Sequence, residues 1–186
     1  MKKEILLSGT GGQGLIMAGV LLGEAAVVYD GKNATQNQTY GVQARGGESA
    51  SEVIISDADI DYAEITHCDV LVALAQSALK AYAKRIRDDA VVIVDSELTP
   101  DTSIVANSKN IYSFPITKIA IDATGKSILA NVVSLGIVSA LTGVVTREAL
   151  EKEVAGRAPA GTEELNRKAL AGGFDAVAEH LAKKRG

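Results

Sequence analysis

Ile5-Leu6-Leu7-Ser8-Gly9-Thr10-Gly11-Gly12-Gln13-Gly14, followed at 15–29 by LIMAGVLLGEAAVVY, joins a short apolar run to a long one through a glycine-rich turn. Residues 4–7 read as a strand. Residues 15–29 read as a helix that is apolar nearly all round, Glu24 being its one charge, and such a helix is expected to be buried on several sides. Four glycines in the six residues 9–14 let the backbone turn tightly and expose its amides. The helix N-terminus behind them adds unpaired N–H groups and a partial positive charge, a setting suited to a phosphate.

Working outward, strands alternate with helices. Residues 32–36 read as a short strand, 37–47 as irregular, 48–56 as a strand, 57–66 as a connector and 70–74 as a buried strand. A helix is expected over 76–86, strands over 91–94 and 110–114, and a helix over 117–125. An apolar helix over 128–141 is interrupted by Gly136, and helices over 147–154 and 163–184 flank a GRAPAG loop. Thr162 is the expected N-cap of the last helix, and Leu165, Phe174, Val177 and Leu181 its apolar face. This alternation specifies a three-layer α/β/α sandwich with a mostly parallel sheet, made mixed by the hairpin-like region at 32–56. With 186 residues, one domain over 1–186 is expected.

Composition narrows the function classes. One cysteine and two histidines leave no set for zinc or an iron–sulfur cluster. They fit a reducing, cytoplasmic setting. A net charge of −4 with no basic stripe argues against nucleic acid, and the apolar run at 15–29 is too short and carries Glu24, which argues against a membrane span. Hydrophobic residues at 47% against 23% charged ones suit either an α/β core or a subunit buried among partners.

Gly9, Gly11 and Gly14 match the G-x-G-x-x-G spacing between strand and helix. Two readings stand: a phosphate cradle, or glycines that merely allow a tight turn and close packing. A dinucleotide site would need an acid at the end of the second strand. Asp30 is at the right distance but falls at the helix end, before a turn glycine, so a free-standing nucleotide-binding enzyme ranks low. A second motif, Thr39-Tyr40-Gly41-Val42-Gln43-Ala44-Arg45-Gly46-Gly47, places an aromatic and an arginine fork among three glycines, either as a binding loop or as a surface turn. Asp57, Asp59 and Asp61 fail as a calcium loop, because Tyr62 and Cys68 replace the required glycine and glutamate. His67 and Cys68 point to opposite faces and make no dyad. Gln76, Asp95 and Ser96 follow strands and read as site-lining or as caps. Lys183, Lys184 and Arg185 read as a solvated helix end.

The pair GTGGQG and TYGVQARGG resembles the gamma subunit of the 2-oxoacid:ferredoxin oxidoreductases. The resemblance continues through VIIS at 53–56, IDY at 60–62, CDVLVALAQSAL at 68–79, VVIVDS at 91–96, ILANVVSLGIVSALTG at 128–143 and ELNRKALAGGFDA at 164–176. Val42 stands where the family often has proline. TYGVQARGGES is closer to the 2-oxoglutarate branch than to the pyruvate branch, with the branched-chain and indolepyruvate enzymes as near competitors.

The resemblance implies a non-catalytic subunit assembled with alpha, beta and delta subunits. The complex converts a 2-oxoacid to acyl-CoA and carbon dioxide while reducing ferredoxin. Thiamine diphosphate with magnesium and the iron–sulfur clusters would sit in the other subunits, and this chain would contact coenzyme A. The candidate binding residues are Gly9, Thr10, Gly11, Gly12, Gln13 and Gly14 in the first motif, with Tyr40, Arg45, Gly46 and Gly47 in the second. A purely structural assembly role, with both loops buried against partners, is the alternative of another class.

Overall fold

The computed structural model describes residues 1–40 and 47–185. Six strands form one sheet in the order β2-β3-β1-β4-β5-β6, comprising β1 (Lys2–Thr10), β2 (Asn33–Tyr40), β3 (Glu48–Ser56), β4 (Cys68–Ala73), β5 (Ile86–Asp95) and β6 (Asn110–Phe114). β1, β4, β5 and β6 run parallel, whereas β3 is antiparallel to both β1 and β2. The sheet is therefore mixed, as the sequence implies. Alternate residues serve opposite faces. Ile5, Leu7, Val70 and Val72 point into one core, and Leu6, Leu71, Ala73 and Val92 into the other.

The helical layers are unequal. One face carries α1 (Leu15–Val28), α3 (Ile116–Thr124), α4 (Ala130–Thr142), α5 (Arg147–Arg157) and α6 (Glu163–Arg185). The other carries α2 (Gln76–Tyr82), a 3₁₀ turn and the 57–66 connector, whose Ile65 is buried beside Leu79 and Tyr82. α4 is buried from Ala130 to Ser139, pressed between the sheet and α6.

Several elements differ from the sequence reading. β1 continues through Ser8, Gly9 and Thr10, because β3 supplies ladder partners Ala50, Ser49 and Glu48 for all three. β2 runs to Tyr40, through polar residues expected to be irregular. It is an outer strand, so its polar side chains need no core. The 76–86 helix stops at Tyr82, passes through the 3₁₀ turn Ala83–Arg85 and enters β5 at Ile86. Gly136 does not interrupt α4. A Cβ there would lie 2.5 Å from the Leu170 carbonyl, so the glycine lets α6 cross closely, with Gly173 as its counterpart. Glycine does not occupy the position after the α1 C-cap, Tyr29; Gly31, one residue later at φ 64°, makes the turn. α5 runs on to Arg157, into the expected loop. Thr162 stands at the N-cap of α6 as expected, its carbonyl accepting from the Asn166 N–H (3.0 Å), while its hydroxyl donates to the Pro159 carbonyl (2.7 Å) and accepts from the Asn166 side-chain amide (3.2 Å). On α6 the buried apolar residues are Ala169, Leu170 and Val177, while Leu181 is exposed.

Candidate functional site

The parallel strands end on one edge, and the chain reverses direction beside β1: β3 lies on one side and β4 on the other. Crevices at such switch points collect ligands in open α/β sheets. The glycine turn sits there, and Gln13 clamps it. The Gln13 Oε1 accepts from the Thr10 N–H (2.7 Å), and its Nε2 donates to the Leu74 carbonyl (3.0 Å). This one side chain ties the turn to the ends of β1 and β4.

Gly9 is buried in β1, where a Cβ would fall 2.2 Å from Gln13 Oε1 and 2.6 Å from Leu15 Cδ1. Gly14 (φ 72°) precedes α1, and a Cβ there would meet Asn131 Nδ2 at 2.6 Å. Asn131 donates to the Gly14 carbonyl (3.1 Å) and holds the turn against α4. Gly12 needs its left-handed backbone, with φ 91°. Gly11 has neither requirement, since a Cβ there would touch nothing within 4 Å. Its N–H donates to the Gly47 carbonyl (3.3 Å). The two glycine motifs, some thirty residues apart, thus meet where β1 and β3 pair. Tyr40 ends β2, while Arg45 and Gly46 lie outside the described residues. The first closed bond of α1 runs from Ala18 N to the Gly14 carbonyl, so the N–H groups of Leu15, Ile16 and Met17 precede it.

Beside the turn is a cavity of ≈280 Å³ lined by Gly12, Gln13, Leu98, Thr117, Ser127, Ile128 and Ala130. The starts of α3 and α4 border it through Thr117 and Ala130, and the glycine turn does so through Gly12 and Gln13. Asp95 shapes its wall. Fully buried at the end of β5, its Oδ1 accepts from the Glu97 and Leu98 N–H groups (3.0 and 3.3 Å), and its Oδ2 from Thr117 N–H (2.7 Å). Asp95 is thus the cap that one sequence reading allowed. Gln76 likewise spends its side-chain amide on the Asp101 backbone (2.8 and 3.0 Å). The cavity residues supplied by α3 and α4 lie some hundred positions from the glycine motif. The exposure of apolar Leu98 and Ile128 marks the rest of the wall, and exposure is not visible in sequence.

The remaining candidates do not converge here. The Asp30 carboxylate accepts from the Thr146 N–H (2.8 Å) and hydroxyl (2.6 Å), and Thr146 in turn caps α5 by accepting from the Ala149 N–H. Asp30 therefore anchors a helix start. Cys68 is buried, and burial pushes its thiol up to about 12, far from thiolate reactivity. His67 beside it is exposed, as are Asp57, Asp59 and Asp61. His180 stacks edge-on against Tyr112 and Phe114. Among the described residues no group of three or more His, Cys, Asp or Glu could hold a metal ion. No helix among them is long and apolar enough to cross a membrane.

Fold and site together define an α/β domain whose distinguishing feature is a glycine-rich strand-to-helix turn at a switch point. A model of the family described as pyruvate ferredoxin/flavodoxin oxidoreductase matches residues 4–176. The 2-oxoglutarate synthase subunit KorC of Methanocaldococcus jannaschii is 44% identical over 96% of this chain and 96% of its own. KorC of Methanothermobacter marburgensis is 41% identical over 96% of this chain and 98% of its own. A keto/oxoacid ferredoxin oxidoreductase gamma subunit from Geobacter sulfurreducens PCA has the same fold (TM-score 0.85), with 44% identity over 96% of this chain and 98% of that one. The chain belongs to the pyruvate ferredoxin/flavodoxin oxidoreductase family, as a gamma-type subunit of a 2-oxoacid:ferredoxin oxidoreductase. Such a subunit works in an assembly with others.

Proposed function

We propose that this chain is the gamma subunit of a 2-oxoglutarate:ferredoxin oxidoreductase and that its glycine turn holds a phosphate-bearing part of coenzyme A. Its relatives named 2-oxoglutarate synthase subunit KorC favour 2-oxoglutarate over pyruvate, branched-chain 2-oxoacids and indolepyruvate. The partners are the alpha, beta and delta subunits, which hold thiamine diphosphate with magnesium and the iron–sulfur clusters, and ferredoxin takes the electrons. A reducing cytoplasm suits the assembly.

The observation that carries the coenzyme A reading is Gly11. Packing or backbone conformation accounts for Gly9, Gly12 and Gly14, whereas the space above Gly11 is open. A side chain there would fill the room that a ligand needs. The cavity is smaller than the roughly 300–1,000 Å³ typical of a drug-sized molecule, so it takes one end of coenzyme A. Exposed Leu98 and Ile128 at its wall offer apolar contact. No charged side chain lines the cavity among the described residues, so backbone amides supply the cradle there. Of Gly9, Thr10, Gly11, Gly12, Gln13 and Gly14, the N–H groups of Thr10, Gly11 and Gln13 bond within the protein and hold the loop's shape, with Gln13 as the clamp, so Gly12, Gly14 and the first turn of α1 are the donors left for a phosphate. Tyr40, Arg45, Gly46 and Gly47 of the second motif are the further candidate contacts, Arg45 offering a cationic fork.

The test is Ser127→Glu in the complex reconstituted with its partner subunits. Ser127 is exposed, so the fold should tolerate the carboxylate, which repels phosphate. The apparent KM for coenzyme A should rise about tenfold, an effect of about 1.4 kcal/mol, at unchanged 2-oxoglutarate KM. An unchanged coenzyme A KM in an intact complex overturns the site. Preference for another acid in a panel of 2-oxoacids overturns the substrate.

A further inference from the structure

We infer that the cavity between α3, α6 and the end of β6 receives an arginine side chain, inserted by a partner subunit when the complex assembles. This cavity shares no lining residue with the one beside the glycine turn, so the inference stands apart from the coenzyme A reading. It measures ≈620 Å³. Phe114, Pro115 and Ile119 give it apolar lining. Gly172, also on its wall, lets α6 approach α3, since a Cβ there would fall 2.9 Å from Ile119 Cγ2.

The charge around the cavity is one-sided. Asp122 of α3 and Asp175 and Glu179 of α6 line it, against one ammonium group, that of Lys183. Asp122 is paired with Lys118. Among the described residues, Asp175 and Glu179 take part in no ion pair. They stand four residues apart on α6, so like charges neighbour each other on one side of that helix and weaken it. His180 supplies an independent observation. It lines the same cavity, edge-on to Phe114, and its Nε2 is buried without a hydrogen-bond partner. The chain thus leaves two carboxylates and an imidazole nitrogen unanswered around one cavity, a cost that its own fold does not offset.

The occupant follows from charge and exposure. Excess carboxylate selects a cation. Asp122, Asp175 and Glu179 are exposed, so a small amine bound to them would stay in water, where ion pairs contribute little. Pairing strengthens when a covering surface excludes water, and this gamma-type subunit works in an assembly. Arginine fits best among basic side chains. Its stem suits the lining of Phe114 and Ile119, and its planar fork can take both carboxylates.

Carbodiimide labelling of carboxylates, read by mass spectrometry, tests this on the free chain and on the complex reconstituted with its partner subunits. Labelling of Asp175 and Glu179 should be lost on assembly. Glu179→Lys relieves the like-charge pair, so the unfolding midpoint of the free chain should hold or rise. Its affinity for the partner subunits should nevertheless fall about a hundredfold, and that of Glu179→Gln about tenfold. Equal labelling in free chain and complex, or an assembly indifferent to Glu179→Lys, overturns the proposal. Spermidine protecting both carboxylates of the free chain as fully as the partner subunits do would also overturn it, making the cavity a site for a small amine.

Discussion

A methyl group on Gly9 would lie 2.2 Å from the Gln13 Oε1, whereas one on Gly11 would meet nothing within 4 Å. Two glycines of one motif therefore answer to different demands, and only surroundings tell them apart. The spacing made the turn legible, because a strand, four glycines and an apolar helix leave few alternatives. The clamp by Gln13 and the contact from Asn131 were not legible, since both depend on partners 61 and 117 residues away. Asp95 shows the same limit. Its place after VVIV allowed a site or a cap, and the three backbone N–H groups around its carboxylate decide for the cap. Asp95→Ala should strand those donors and loosen the wall carrying Leu98 and Thr117. Bonds to a buried carboxylate are among the stronger kind, so the loss should be about 2–4 kcal/mol in urea unfolding. Coenzyme A affinity of the complex should fall with it. Unchanged stability would mean that water replaces the carboxylate.

Elements with a strong period were legible: the strands at 48–56 and 110–114 have the ends the sequence implies. Those that tertiary partners create were not. The polar half of β2 is a strand because β3 offers it a ladder, and Ile86 begins β5 because β4 aligns Cys68 with it. Gly136 is the clearest case. Helix propensity counts it as a break, yet at the α4–α6 crossing only hydrogen fits. Gly136→Ala should cost about 2 kcal/mol or more, since the new carbon would sit 2.5 Å from the Leu170 carbonyl and 3.1 Å from Gly173 Cα. Gly156, also helical, has nothing within 4 Å of a Cβ, and Gly156→Ala should raise stability by about 0.5 kcal/mol through helix propensity. Thermal unfolding of the pair gives opposite signs if packing governs the first site and propensity the second. Equal signs would contradict this assignment.

At the scale of the whole molecule, α5 joins the helical layer through an acidic contact that no local pattern announces. Glu153 of α5 is nearly fully buried and neighbours Glu24 of α1, while Arg157 pairs with Glu24 and lies 3.4 Å from the Glu153 Oε1. Burial first, and the neighbouring Glu24 second, raise the Glu153 carboxyl above its ordinary value of 4.5, with Arg157 opposing them. Between that ordinary value and the raised one, the folded chain binds more protons than the unfolded chain. Stability therefore falls as pH rises through this window, and the penalty is complete above the raised value. Glu153→Gln keeps the shape and removes the charge. It should flatten this part of the pH dependence and leave the protein at least as stable at neutral pH, with the difference vanishing below the ordinary glutamate range. Chemical unfolding of both proteins across a pH series checks this. A variant that loses stability at neutral pH would show that the ionised carboxylate, through Arg157, holds α5 in place.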